Sequence, residues 1–284
     1  MLAELVEARQ RPAGHPRGSG LKSPGLKSPG LVPRGLTDDV RADWTSLGSA
    51  TATPRVFDPS VGLHLPEPVR RWLGQAVEPG TSLATAAEVR MHGEIRLGKW
   101  RSFTAVQRMT PTGGFVWAAT ARMLGLPIVG FDRYTRGSGQ MRWRLLDAVP
   151  VLGAEGPEVT RSAAGRYAGE LLLYVPTAAL SEMITWRAVD EARATAVLQV
   201  GSTQVEVTIT VSATGVLTDV VFPRWGNPAG EPFAEYSFGA TFQDQITFAG
   251  ITLPRQVTAG WHVNSARWAE GQFLRYMIDY AHYR

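Results

Sequence analysis

The sequence predicts a mainly β fold of the α+β type: a single curved antiparallel sheet, or half-barrel, closed by an inserted helical segment and preceded by a disordered N-terminal arm. Three observations carry this. Strict two-residue alternation of apolar and polar side chains marks strands at 88–97 and 205–211, a stretch near 160–184 switches to helical spacing, and helices are missing between most consecutive strands. A doubly wound parallel sheet needs a helix at nearly every crossover, so the strands should pair as antiparallel neighbours.

Residues 1–62 read as the arm. Positions 10–62 are dense in Pro, Gly, Ser and Arg and include the tandem Gly20-Leu21-Lys22-Ser23-Pro24 and Gly25-Leu26-Lys27-Ser28-Pro29. Such composition offers little to a core. The folded domain is expected over 63–284. Pro66 and Pro68 suit the first turn of a helix, and Val69, Trp72, Leu73 and Ala76 follow at i, i+3, i+4 and i+7. From Val89 to Leu97 the odd positions are apolar or Gly, whereas Glu88, Arg90, His92, Glu94 and Arg96 face the other way. That is a half-buried strand. Strands at 100–109, 115–122, 127–136 and 139–147 follow through turns at Gly98, Gly113-Gly114 and Gly137-Ser138-Gly139.

Ala164, Tyr167, Ala168, Leu171 and Val175 then recur at helical spacing, and Pro176 ends that helix and opens a second carrying Leu180, Met183 and Ile184. Alternation resumes with Val205, Val207, Ile209 and Val211. Further strands are expected at 216–224, 233–243, 246–249, 252–265 and 270–280.

Composition narrows the function classes. Lys plus Arg number 29 against 25 Asp plus Glu, but residues 1–55 hold eight basic and five acidic residues, leaving 21 against 20 in the remainder. A near-neutral folded part argues against a nucleic-acid partner despite a pI of about 9.6. There is no Cys, which excludes disulfides and thiolate chemistry. The acidic opening Met1-Leu2-Ala3-Glu4-Leu5-Val6-Glu7 does not resemble a secretory signal, and no apolar run approaches the roughly 20 residues that span a bilayer. A cytoplasmic protein without stable membrane insertion is expected.

Gly93-x4-Gly98-Lys99 matches the start of a phosphate-binding loop, but Trp100 stands where Ser or Thr is required and Gly93 lies inside a strand. Five scattered His give no zinc pattern. No cofactor is expected. What remains is polar residues set in aromatic sequence, on a sheet whose concave face would enclose an apolar small molecule. Glu170, Asp132 and His262 are the candidate proton-transfer residues. Trp117, Tyr134, Tyr167, Tyr174, Trp225 and Trp261 are the candidate cavity aromatics, and Arg275 or Arg224 the candidate head-group cation. Each also has a structural explanation: a helical Arg166–Glu170 pair, an Asp132 pair with Arg133 or Arg136, a sheet-bonded His262, and an Arg275 stem packed on neighbouring rings.

From about residue 66 onward the chain resembles an uncharacterised bacterial domain family. The resemblance rests on Pro66 to Leu73, on Trp100-Arg101-Ser102-Phe103-Thr104-Ala105, on Arg166 to Leu171 with Pro176 and Leu180, and on Trp186 with Val189 and Asp190. No activity comes with it. The order of elements is also similar to the half-barrel of periplasmic lipoprotein carriers, which implies an incomplete barrel lined by apolar side chains and closed by helices. The leading functional expectation is a cofactor-free enzyme guiding cyclisation or isomerisation of an apolar or polycyclic substrate. The alternative is a non-catalytic carrier of a lipid or other hydrophobic ligand.

Overall fold

The computed structural model describes residues 32–49 and 55–284. Among them, thirteen strands form one antiparallel sheet. They are β1 (Ala87–Leu97), β2 (Lys99–Thr110), β3 (Gly114–Met123), β4 (Leu126–Thr135), β5 (Ser138–Leu145), β6 (Val149–Glu155), β7 (Ile184–Ala188), β8 (Arg193–Val200), β9 (Thr203–Val211), β10 (Leu217–Gly226), β11 (Ala234–Phe248), β12 (Ile251–Trp261) and β13 (Gln272–Tyr283). Their spatial order is β6-β5-β4-β3-β2-β1-β13-β12-β11-β10-β9-β8-β7. Every pairing but one joins consecutive strands. The exception, β1 with β13, welds the two halves of the sheet at its centre, with Val89 opposite Ala281 and Gly93 opposite Tyr276.

This topology leaves β6 and β7 as the edges, and the chain between them must cross the sheet. It does so as helix α3 (Pro157–Tyr174), with α1 and α2 being Asp38–Gly48 and Glu67–Ala76. Eighteen residues at 1.5 Å each give α3 a length of about 27 Å, enough to lie across a curled sheet. Gly156, at φ +106°, makes the sharp entry, and Pro157 occupies the first helical position. A 3₁₀ turn at Pro176–Leu180 returns the chain to the sheet.

The alternation read from β1 holds: Val89, Met91, Ile95 and Leu97 are buried in the main core beneath α3 and α2, joined by Phe103, Trp117, Trp143, Tyr174, Ile209 and Phe238. The concave side of the sheet is therefore the core.

Two expectations are corrected. The segment assigned wholly to an arm contains α1, in which Val40, Trp44 and Leu47 recur at helical spacing and pack, with Leu36, against Val116, Ala118 and Phe131 on the convex face. Asp43 anchors it to Arg133 (2.5 Å), Thr135 (2.6 Å) and Arg136 (3.0 Å), and Arg108 donates to the Trp44 carbonyl while its guanidinium lies 4.4 Å from the indole. Three well-spaced apolar residues outweigh a polar average. Phe57 is also buried and Val56 bridges Ser82, so the folded part begins before residue 63. The rest of the arm expectation, residues 1–31 and 50–54, lies outside the described residues.

The second correction concerns the insert. Its second helix is one 3₁₀ turn, and Ile184 already opens β7. Strands β6 and β8 were not expected either. The two strands anticipated at 233–243 and 246–249 are one, β11, interrupted by Asp244 at φ +54°, which the pairing with β12 skips. The register is continuous across it, Gln243 opposite Gln256 and Gln245 opposite Pro254, so no residue is inserted and the interruption is local to Asp244.

Candidate functional site

Along β2, inward positions read Phe103, Ala105, Gln107 and Met109, so one amide stands in an apolar row. Gln107 pairs in register with Trp117 on β3, and Trp117 with Asp132 on β4. This cross-strand row faces Arg166 of α3. The guanidinium lies 5.0 Å from the Trp117 ring and 4.8 Å from that of Phe115, with Nη1 2.9 Å from Asp132 Oδ2 and Nε 2.7 Å from Glu170 Oε1. Gln107 Nε2 donates to the other Glu170 oxygen (2.7 Å), and the Trp143 indole N–H donates to the other Asp132 oxygen (3.0 Å). Both carboxylates are thus engaged at each oxygen.

Burial raises the Asp132 pKa above the ordinary carboxylate range and outweighs the opposing pull of Arg166 and the Trp143 hydrogen bond. For Arg166, burial acts to lower the pKa, but Glu170 and Asp132 more than reverse it, so the cation is firmly held. Gln107 Oε1 is buried with no hydrogen-bond partner among the described residues.

Around this cluster the tyrosines pin α3 to the sheet. The Tyr167 hydroxyl lies within hydrogen-bonding distance of the Thr110 (2.8 Å) and Pro111 (2.5 Å) carbonyls, and its ring stacks on Tyr134 at 5.8 Å. Tyr174 and Tyr276 share a 2.5 Å hydroxyl contact. Burial pushes the phenols of Tyr134, Tyr167, Tyr174 and Tyr276 upward, so all four stay neutral donors at physiological pH.

On the other side of α3, against β10–β13, packing is incomplete. A cavity of about 60 Å³ is walled by Leu173, Val220, Phe222, Phe238, Phe273 and Leu274, with Arg166, Glu170, Arg224 and Tyr276 supplying its polar atoms. Arg224 Nε reaches Ser162 Oγ at 3.2 Å, and its guanidinium lies 4.4 Å from the Phe238 ring. The volume is well below the roughly 300–1,000 Å³ typical of ligand sites.

The structure brings some of the expected site residues together and separates others. Asp132 and Glu170 meet through Arg166, and the expected helical pair is present, but Asp132 does not pair with Arg133 or Arg136, which turn to Asp43 on the convex face. Of the two, only Glu170 lines the cavity. Trp117, Tyr134, Tyr167, Tyr174 and Trp261 are buried packing residues of the core, Trp261 edge-on to Phe238 at 4.9 Å. His262 follows β12 in a turn at φ +57°, with its ring against Tyr236 and away from the Arg166 cluster. Arg275 lies opposite Glu94 and Thr258 on the convex face, exposed, with its guanidinium 4.4 Å from the Trp100 ring. It does not reach the cavity, because its register position is one residue off the inward-facing row of Leu274 and Tyr276. Gln107, Trp143, Phe222 and Phe238 were not anticipated. Only Gln107 had a local signal, an amide at an inward position of an apolar row.

A curled antiparallel half-barrel, closed by a helix that carries a buried Arg–carboxylate cluster beside a small apolar cavity, is the class of protein that the fold and site define. The chain belongs to the family of unknown function DUF6544, whose profile matches residues 56–273. It is also similar, at 9% identity and a TM-score of 0.38 over 80% of this chain and 92% of the other, to a domain described as an outer membrane lipoprotein-sorting protein domain from Vibrio parahaemolyticus. No curated protein matches the chain. Among the described residues, no helix is long and apolar enough to cross a membrane.

Proposed function

We propose that this protein is a non-catalytic binder of an apolar or amphiphilic small molecule, held between α3 and strands β10–β13. The observation that carries this is the under-packed, apolar-walled cavity beside Phe222, bordered on one side by Arg166, Glu170, Arg224 and Tyr276. Binding sites of this kind pair a greasy wall with a few polar groups that orient the guest. The space holds only a few waters as it stands, so a larger guest needs a wall ring such as Phe222 or Phe273 to turn aside.

The geometry favours binding over proton-transfer catalysis. A general acid or base must reach the guest with a free oxygen. Asp132 is outside the cavity wall with both oxygens engaged, Glu170 spends its oxygens on Arg166 and Gln107, and His262 is elsewhere.

The test uses the neutral fluorophore N-phenyl-1-naphthylamine with palmitate as competitor. Saturable binding to one site is expected, with displacement by palmitate and at least tenfold weaker binding in Ala259→Phe, which fills the cavity. Unsaturable binding, or an Ala259→Phe variant that folds and binds like wild type, would overturn the proposal.

A further inference from the structure

Strands β9 and β10 part company midway. They pair from Val211 opposite Leu217 to Thr208 opposite Val221, yet β9 extends back to Thr203 and β10 runs on to Gly226. Beyond Thr208 the sheet is split, and Pro223, which has no amide proton to offer a neighbouring strand, is exposed along the β10 side of the split. The opening is a cleft of about 540 Å³ into which Arg161 and Gly165 of α3 project. Phe222 borders this cleft and also the cavity under α3. Its ring rests on bare helix backbone: a Cβ on Gly169 would lie 2.5 Å from Phe222 Cε1, and one on Gly165 3.5 Å from Cε2. Cleft and cavity are therefore two compartments divided by one aromatic ring.

The cleft has a different chemistry from the cavity. Its walls carry Thr203, Gln204, Glu206, Thr208, Glu235 and Ser237. Its charges are matched in place, Arg161 with Glu235 at 2.7 Å and Glu206 with Arg187 at 2.6 Å. The indole N–H of Trp225, under the Arg161 guanidinium at 4.1 Å, is buried with no hydrogen-bond partner among the described residues. A buried donor without an acceptor is uncommon and calls for one. A charged head group would have to break one of the two ion pairs. A neutral, hydroxyl-rich one competes for neither pair and offers the acceptor that the indole N–H lacks once Arg161 shifts off the ring.

We infer that the β9–β10 cleft receives the neutral, polyhydroxylated head group of an amphiphile whose apolar tail passes Phe222 into the cavity under α3. This rests on the ligand-binding reading above and names its substrate class. Trp225 and Gln204 are the head-group donors, and Phe222 is the ring that turns to join the two compartments.

Calorimetric titration with octyl β-glucoside (below its micelle concentration), 1-octanol and octylphosphocholine tests it. These share a tail and differ in head. Octyl glucoside is expected to bind at least tenfold more tightly than either of the others, and that preference is expected to fall to threefold or less in Trp225→Phe and Gln204→Ala while octanol binding stays unchanged. Equal affinities for glucoside and octanol, a preference for octylphosphocholine, or a glucoside preference that survives both substitutions would overturn the head-group inference while leaving the cavity proposal standing. Failure of all three compounds to bind would overturn both.

Discussion

Replacing Arg166 with Met tests whether the Arg166–Asp132–Glu170 cluster holds α3 on the sheet. The substitution keeps most of the stem but removes the cation, leaving two carboxylates whose side chains are only 15% and 21% exposed. Stripping the partner from a buried ion pair typically destabilises by about 3–5 kcal/mol, because the remaining charge is desolvated without compensation. At about 2–4 °C per kcal/mol for a domain of this size, the midpoint should fall by about 6–20 °C. The loss must depend on pH. Without Arg166 the buried Asp132 is hardest to hold when ionised, so the deficit is largest at neutral pH and shrinks in acid as it protonates. Wild type carries a weaker version of the same dependence. Asp132 is raised above 3.8 in the folded state, so the folded chain binds a proton more tightly than the unfolded one. That contribution is fully present below the unfolded carboxylate range and is lost as pH rises through the raised folded value. Asp132→Asn should flatten this slope. Differential scanning calorimetry from pH 4 to 8 reads both effects, and Arg166→Met combined with Asp132→Asn and Glu170→Gln should recover most of the loss. An Arg166→Met midpoint within 2 °C of wild type, or a deficit that does not vary with pH, would refute the reasoning.

Two further substitutions separate local from global packing. Gly169→Ala gains up to about 1 kcal/mol of helix propensity but places a methyl 2.5 Å from a ring that is 3% exposed, so an overpacking penalty of about 1–3 kcal/mol should prevail. Gly165→Ala meets only ordinary contact at 3.5 Å and should be neutral or stabilising by up to about 1 kcal/mol, with urea denaturation reporting the contrast. Trp44→Ala removes the largest apolar side chain anchoring α1, worth about 3–5 kcal/mol of local packing. Hydrogen exchange should show α1 amides losing protection while β1 and β13 keep theirs, and unchanged α1 protection would mean that the helix is held by its Asp43 contacts alone.

What could be read from the sequence was what neighbours in the chain determine. The alternation of β1 and β9 and the helical spacing of α3 are local, and the Arg166–Glu170 pair is one helical turn, so all were legible. The antiparallel sheet followed because no helices stood between successive strands. The α1 helix was hidden because its three apolar residues sit among polar ones in a Pro- and Gly-rich stretch. Strands β6 and β8 lack a clean alternation, since β6 is an edge with half its residues exposed and β8 is mostly buried. Asp132 finds its partner 34 residues away and Gly169 meets Phe222 across 53, and no local pattern encodes which inward residue faces which turn of α3. Arg275 shows the same difficulty at its smallest: a shift of one strand position places it on the convex face.

The faces of α3 explain why room exists on one side only. Residues four apart share a helix face, so Gly165 and Gly169 form one stripe while Arg166 and Glu170 form the next. The charged stripe meets β2–β5, where Trp117, Trp143, Phe115 and Tyr134 fill the space and ion pairs fix the helix. The bare stripe meets β10–β13, where Val220, Gly239, Ala240 and Ala259 leave the wall thin. The proposed guest would therefore enter from the thin side. Lifting α3 as a body would separate Arg166 from Asp132, since the latter belongs to the sheet, whereas rotating Phe222 against two glycines breaks no polar contact. Phe222, backed on α3 only by Gly165 and Gly169, is therefore the side chain that the proposed binding would displace, while ion pairs tie the charged stripe of α3 to the sheet.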